Sequence, residues 1–269
     1  MDLIAKSKLK YLEIQKQKNG NAWLLVIDHP PVNALRMDLL NELDCSIDNF
    51  NCDESAKILI ITATGERAFS SGVDINEIMA ISSPNEGAIL ARGGQKLCDK
   101  IENLDKPIIA AINGLCVGGG NEIAMACHIR LASERAKFGQ PEVNLGIIPG
   151  FGGTQRLVRL IGSSRARRLI LTGDLISAQE ALEIGLIDII TKPEKLAEVA
   201  LELAEKILRN SQICVRMAQR AISEGLKSGS LEEGLRKEIE CFQEVCRSED
   251  MKEGLKAYKE KRIPQYKNR

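Results

Sequence analysis

Two glutamates, Glu122 and Glu142, stand in stretches made otherwise of small and apolar residues, each close to a cluster of glycines. Glu122 follows Gly118-Gly119-Gly120 in NGLCVGGGNEIAMACH and is trailed by Ile123, Ala124 and Met125. Glu142 follows a proline in KFGQPEVNLGIIPGFGGTQRL and lies among Val143, Leu145, Ile147 and Ile148. A carboxyl group in apolar surroundings resists ionisation, which suits it to exchange protons near neutral pH. The glycine triplet lets a ligand or another backbone approach with no Cβ in the way. A third stretch, ERAFSSGVDINEI, runs from Ser70-Ser71-Gly72 into a helix start marked by Asp74, where backbone N–H groups lack intrahelical acceptors. Two helix starts that offer donors, beside two carboxyl groups, suit stabilisation of a developing oxyanion while protons move at a neighbouring carbon. Each stretch taken alone also reads as a tight turn, with Asp74 and Glu122 complementing helix dipoles and Glu142 on a surface loop. The pattern names no substrate.

These loops need elements to hold them. YLEIQKQ (from Tyr11) and WLLVID (from Trp23) flank Asn19-Gly20, a strong hairpin signal. Leu40, Leu43, Ile47 and Phe50 recur at helical steps, as do Leu90, Leu97, Ile101 and Leu104. KILIITA (from Lys57) and PIIAAI (from Pro107) are continuous apolar runs of strand length, as expected for strands covered on both faces. IRLAS (from Ile129) reads as a further short strand, and helices are expected near Asn121 and Thr154. Strands alternating with helices predict an α/β core. Beyond Thr154 the pattern is mainly helical, with stripes at Leu196 to Leu208, Val215 to Leu226, Leu231 to Val245 and Met251 to Arg262. The expected organisation is an α/β core over residues 1–195 and a helical C-terminal region over residues 196–269.

Composition narrows the chemistry further. The 269 residues carry 37 Lys plus Arg and 37 Asp plus Glu, so a long-range pull toward nucleic acid or an anionic membrane is not expected. Aromatic residues make up only 3%, which disfavours base-stacking platforms. The two histidines, His29 and His128, are far apart, form no HExxH motif and are expected to satisfy local hydrogen bonds. The glycine triplet lacks the GK[ST] ending of a phosphate-binding loop. Eight cysteines without a CxxC pair read as reduced, buried thiols in a cytoplasmic protein, and no metal site is expected. No apolar run is long enough to span a membrane, and the first residues lack a signal-peptide pattern.

AFSSGVDINEI, INGLCVGGGNEIAMACHIRLAS and FGQPEVNLGIIPGFGGTQRL together resemble the three signature segments of the crotonase (enoyl-CoA hydratase/isomerase) superfamily. The likeness extends from HPPVNAL to the closing YKEKRIPQYKNR. The resemblance implies an α/β fold with a spiral core of ββα units, a helical C-terminal extension, and an acyl-CoA thioester as substrate. It implies that the backbone N–H groups of Val73 and Gly119 form the oxyanion hole. Members that hydrate enoyl-CoA carry both glutamates, here Glu122 and Glu142. Simple isomerases generally keep only the second, and dienoyl-CoA isomerases add an Asp where this chain has Gly150. The acids therefore point to a hydratase that adds water to a 2-trans-enoyl-CoA, with Glu122 deprotonating the water and Glu142 protonating the α-carbon. Hydration of a cyclic dienoyl-CoA, double-bond isomerisation, and a non-catalytic acyl-CoA- or RNA-binding role are the alternatives.

The same resemblance brings CoA to Ala34 of the Asn33-Ala34-Leu35 turn and to Asp74, Ile75 and Asn76. It also assigns CoA contacts to Tyr258 and Lys261 near the C-terminus, often supplied across a subunit boundary. Arg165, Arg167 and Arg168 read as a solvated helix face or as partners for CoA phosphates. No cofactor is expected beyond the coenzyme A of the substrate. Partners are expected to be copies of the same chain, as a trimer or a dimer of trimers, with a homohexamer favoured.

Overall fold

The strands expected from unbroken apolar runs lie at the centre of a sheet. In this computed structural model, which describes residues 3–17 and 20–268, KILIITA yields β4 (Ile58–Ala63) and PIIAAI yields β6 (Ile108–Ile112). Every residue of β6 is buried, as a strand covered on both faces requires. The seven-stranded sheet has the order β1-β2-β3-β4-β6-β8-β11. It begins with an antiparallel meander of β1 (Leu3–Lys8), β2 (Leu12–Gln17) and β3 (Ala22–Ile27). From β3 onward the neighbours are parallel, through β8 (Ile129–Ser133) to β11 (Ile189–Thr191). Asn19 of the expected hairpin turn lies outside the described residues, while the strands on either side of it pair antiparallel.

A second sheet, of order β10-β9-β7-β5, is built from strands of only three residues. These are β5 (Ala68–Ser70), β7 (Leu115–Val117), β9 (Lys137–Gly139) and β10 (Leu175–Ser177). β5, β7 and β9 run parallel side by side, each entered from a strand of the large sheet. The chain therefore winds as repeated ββα units: β4-β5 leads to α2 (Ile75–Met79) and α3 (Pro84–Glu102), and β6-β7 leads to α4 (Gly119–Ala126). The third unit, β8-β9, leads through a 3-10 turn (Pro141–Leu145) to α5 (Gly153–Ile161) and α6 (Ser163–Thr172). The short α7 (Ala178–Glu183) precedes β11.

α1 (Met37–Cys52) buries Leu39, Leu40, Leu43, Ile47 and Phe50, the face its spacing predicts, and Trp23 meets Phe50 edge to face. α3 buries Gly94, Leu97, Cys98 and Ile101 at steps of three, one and three, a helical stripe. Two helices start slightly before the residues expected to open them, α4 at Gly119 and α5 at Gly153.

The chain divides into two compact units, residues 1–102 with 108–201, and residues 103–107 with 202–269. The boundary falls inside α8 (Leu196–Leu208). The second unit contains α9 (Gln212–Lys227), α10 (Leu231–Arg247) and α11 (Glu249–Glu260). Ser211, Ser230 and Ser248 cap these three helices, each accepting from the N–H three residues on. α9 and α10 pack together where Gly225 and Gly234 allow their backbones to approach.

The thiols depart from the expectation of burial. All eight are free, yet Cys45, Cys52 and Cys246 are exposed, while Cys98, Cys116, Cys127 and Cys241 are buried. Cys45 and Cys52 lie on α1 outside its buried stripe, so their position follows from helix phase and not from residue type.

Candidate active site

The three chemically suggestive loops leave the three parallel strands of the small sheet at one edge. Ser70 is in register with Cys116, Cys116 with Phe138, and Val117 with Gly139. Ser71-Gly72-Val73, Gly118-Gly119-Gly120 and Gln140-Pro141-Glu142 must therefore emerge side by side. Gly72 has φ +90, and a Cβ on it would sit 3.2 Å from Val117 O and 3.4 Å from Gly119 N, so the first two loops touch through a residue that only glycine fits. Next to them, a Cβ on Gly120 would strike Ser70 at 2.5 Å.

Val73 is held by a parallel bridge to Leu35, in which Leu35 N–H donates to Gly72 O at 2.8 Å and Asp74 N–H donates to Leu35 O at 2.9 Å. The bridge uses the groups on either side of Val73 and turns its own N–H the other way. Gly119 is the first residue of α4, so its N–H has no intrahelical acceptor. Among the described residues neither N–H has a hydrogen-bond acceptor. Two unused amides thus lie on adjoining loops, the arrangement an oxyanion hole needs.

Glu122 is 1% exposed and Glu142 is 8% exposed. Glu122 Oε1 accepts from the Gly153 N–H at 2.5 Å, at the start of α5. Burial pushes the Glu122 carboxyl up to about 7; the Gly153 amide opposes this, the charge of Glu142 adds to it, and the Phe151 backbone and Arg156 pull downward. Burial likewise pushes Glu142 up to about 7. Glu142 faces the glycine triplet, since a Cβ on Gly118 would lie 3.2 Å from its Oε1. Its Oε2 is buried without a hydrogen-bond partner. Two neighbouring carboxyls of this kind favour a state in which one holds a proton and the other does not.

The remaining predicted residues divide. Ala34 belongs to a turn fixed by its own hydrogen bonds: its carbonyl accepts from His29 Nδ1 at 2.7 Å, and Asn33 Nδ2 donates to Ala68 O at 2.8 Å. Asp74 caps α2, its Oδ1 accepting from the Asn76 N–H and Nδ2, both at 2.9 Å, and Ile75 and Asn76 are exposed beside it. Tyr258 and Lys261 belong to the second unit; Tyr258 is 86% exposed, and Lys261 caps α11 with φ +55. Arg165, Arg167 and Arg168 are exposed on α6, with Arg168 paired to Glu180. His128 is used locally, its Nδ1 accepting from the Ile108 N–H at 2.9 Å.

Three residues at the site escape sequence reasoning. Gln140 is fully buried with neither polar side-chain atom partnered. A Cβ on Gly153 would sit 2.4 Å from its Nε2 and 2.9 Å from Glu122 Oε1, so the unsatisfied amide and the acid both approach the same side of Gly153. Phe151 lies on Gly94 of α3 and approaches Gly119. Arg156 is buried on α5 and reaches Glu102, 54 positions earlier in the chain. A buried polar group inside FGQPE was the only local hint of Gln140, and a long-range ion pair leaves no local pattern at all. Among the described residues no group of three or more His, Cys, Asp or Glu side chains is placed to hold a metal ion, and no helix is long and apolar enough to cross a membrane.

A spiral of ββα units that sets two amides and two high-pKa carboxyls at one sheet edge defines a crotonase-fold enzyme. An enoyl-CoA hydratase from Bacillus anthracis has this fold at a TM-score of 0.92 and 39% identity, covering 97% of this chain and all of that one. The family model for enoyl-CoA hydratase/isomerase matches residues 17–269, and the chain belongs to that family. It is 43% identical over 255 residues to a short-chain-enoyl-CoA hydratase of Clostridium acetobutylicum, across 94% of this chain and 97% of the relative. It is 46% identical over 246 residues to a probable enoyl-CoA hydratase of Bacillus subtilis, across 91% and 94% of the two chains.

Proposed function

We propose that this protein is an enoyl-CoA hydratase, adding water across the double bond of a 2-trans-enoyl-CoA to give a 3-hydroxyacyl-CoA. The observation that carries the reading is the pairing of two buried glutamates, each pushed by burial to about 7, with two unused backbone amides at one edge of a sheet. The thioester oxygen sits between the Val73 and Gly119 N–H groups, which stabilise the enolate formed during addition; losing one such donor costs about 3 kcal/mol. Glu122 takes a proton from water as its oxygen bonds to the β-carbon. The double-bond electrons pass to the thioester oxygen, and the enolate is then protonated at the α-carbon by Glu142. Water has supplied a hydroxyl and a proton, and the pair of acids returns to its starting charge by exchanging one proton.

No cofactor takes part in these steps beyond the coenzyme A of the substrate. Ala34, Asp74, Ile75 and Asn76 line the CoA path of the first unit, with Asp74 acting chiefly as the cap that fixes α2. Tyr258 and Lys261 contact the CoA of a neighbouring copy in the assembly, as the family resemblance implies. The α/β core over residues 1–195 carries the acyl-CoA site, and residues 196–269 serve assembly. Ile222, Leu226, Leu231, Leu235, Ile239 and Phe242 on α9 and α10 are exposed, which supports burial against other copies in a trimer or dimer of trimers. Eight free thiols, three of them exposed, support a reducing, cytoplasmic setting.

Crotonyl-CoA and purified protein test the activity directly through loss of the conjugated-thioester absorbance. Turnover is expected, together with formation of 3-hydroxybutyryl-CoA. Exchange of the α-proton without net hydration would point to an isomerase, and the absence of turnover on any chain length would overturn the reading. Sedimentation as a monomer at micromolar concentration would refute the assembly.

A further inference from the structure

The loop that delivers the Gly153 amide to Glu122 has no regular structure of its own between Gly146 and Gly152, so something else must hold it. α3 does, through three contacts on one side. Gln95 Nε2 donates to Gly150 O at 2.9 Å. The Phe151 ring occupies the space a Cβ on Gly94 would need, with Cδ1 2.0 Å from that point. Farther along, Arg156 Nη2 donates to Asp99 Oδ1 at 2.5 Å and to Glu102 Oε2 at 2.9 Å, while its Nε donates to the same Glu102 oxygen at 3.0 Å.

Arg156 does more than pair with α3. Its Nη1 turns back and donates to Phe151 O at 3.0 Å, inside the loop itself. One planar group therefore grips the loop on one edge and two carboxylates on the other, a task for which a lysine ammonium has the wrong shape. The loop is shaped to let it through: Gly152 has φ +109, and a Cβ there would lie 2.2 Å from Nη1. The Arg156 side chain is 10% exposed, whereas those of Asp99 and Glu102 are 63% and 43% exposed, so the cation is the buried member of the network.

We propose that Arg156 is the positioning residue of the acid–base pair, fastening the Gly150–Gly153 loop to α3 so that the Gly153 amide is aimed at Glu122. The inference rests on the hydratase reading for its catalytic meaning. It separates from that reading in its test, because it concerns the setting of one carboxyl group. Besides orienting Glu122, the positive charge of Arg156 favours ionised Glu122. The other groups facing Glu122 are Glu142 on the 3-10 turn and Cys98 on α3, while Asp99 and Glu102 face Arg156; Cys98, Cys116 on β7 and Cys127 after α4 are thiols that burial keeps protonated.

Arg156→Lys and Arg156→Gln, compared with the unaltered protein, separate geometry from charge. Arg156→Lys keeps the charge and loses the fork, so kcat for crotonyl-CoA is expected to fall at least tenfold with KM within about twofold and the pH profile unmoved. Arg156→Gln loses both, so kcat falls further and the limb governed by Glu122 moves to higher pH. Asp99→Asn combined with Glu102→Gln releases the same clamp from the half-exposed side; it is expected to lower kcat several-fold and decides the matter if the Arg156 variants do not fold. Titration of the Glu122 carboxyl by ¹³C NMR reads the same shift without turnover, so an inactive enzyme would reject the hydratase reading while leaving this comparison measurable. Wild-type kcat and an unmoved Glu122 titration in Arg156→Gln, or wild-type kcat in the Asp99/Glu102 double variant, would overturn the proposal.

Discussion

Two buried carboxylates in this chain are treated in opposite ways. Asp250, in the helical unit, is 2% exposed and has both oxygens occupied. It accepts from Ser211 Oγ at 2.7 Å, from the Lys267 N–H at 2.7 Å, and from the Asn268 N–H at 3.1 and 3.0 Å. Asn268 Oδ1 in turn accepts from the Gln212 N–H at 2.8 Å, so the carboxylate ties the last residues to the start of α9. Glu142, in the α/β unit, has one oxygen buried and unpartnered, and the nearby Gln140 amide is unpartnered at both ends. Buried polar groups left unsatisfied cost stability, typically about 1–3 kcal/mol each. A fold that fills the bonds around Asp250 and leaves an oxygen of Glu142 unpartnered separates a structural acid from the one that the proposed mechanism sets against substrate and water.

The largest consequence lies in turnover. Glu122→Gln and Glu142→Gln are each expected to reduce kcat for crotonyl-CoA hydration by about a hundredfold or more, the range of general acid–base catalysis. Full activity in either variant, measured by steady-state kinetics, would erase the contrast with Asp250.

Stability should move in the reverse direction. The Glu122 carboxyl is raised from 4.5 to about 7 in the folded chain, so the folded state binds the proton more tightly than the unfolded state. Its stabilising share is fully present below about pH 4.5 and is lost as pH rises through about 7. Glu122→Gln, neutral at all pH, should therefore gain up to about 3 kcal/mol on the parent protein between pH 4 and pH 8. Denaturant melts at the two pH values check this, and a variant equally destabilised at both would contradict it.

Asp250→Ala should lower unfolding stability by about 2 kcal/mol, because the hydrogen bonds removed are made to a charged group. A denaturation midpoint unchanged from the parent would make Asp250 incidental. Smaller again are the caps of the same unit: Ser230→Ala and Ser248→Ala should each cost about 1 kcal/mol, with Ser211→Ala between these and Asp250→Ala because it also removes a donor to that carboxylate. Calorimetry resolves shifts of that size, and three neutral substitutions would show that the helices are set by packing alone.

The contrast also marks what could be read from residues in order. Apolar runs at Lys57 and Pro107 announced the central strands, and helical spacing announced α1, α3 and the C-terminal helices. The strands β5, β7 and β9 were not visible, because three residues are too few to display a period. Those same strands bring Glu122 and Glu142 to one edge, so the acids were legible as types from the residues and their convergence only through the family resemblance. Asp74 was legible both ways, and it acts as the cap of α2. Gln140 and Arg156 stayed hidden because their meaning lies in contacts with Gly153, Asp99 and Glu102, which no local pattern encodes.

The proposal that the two glutamates divide one proton between them is tested most directly by the pH dependence of kcat/KM for crotonyl-CoA hydration. With both carboxyls raised to about 7, one must be ionised and the other protonated for turnover. The profile should be a bell with its maximum near neutrality, and either Glu→Gln substitution should remove it. A rate that stays flat from pH 5 to pH 9 would mean that the two acids do not share the chemistry assigned to them.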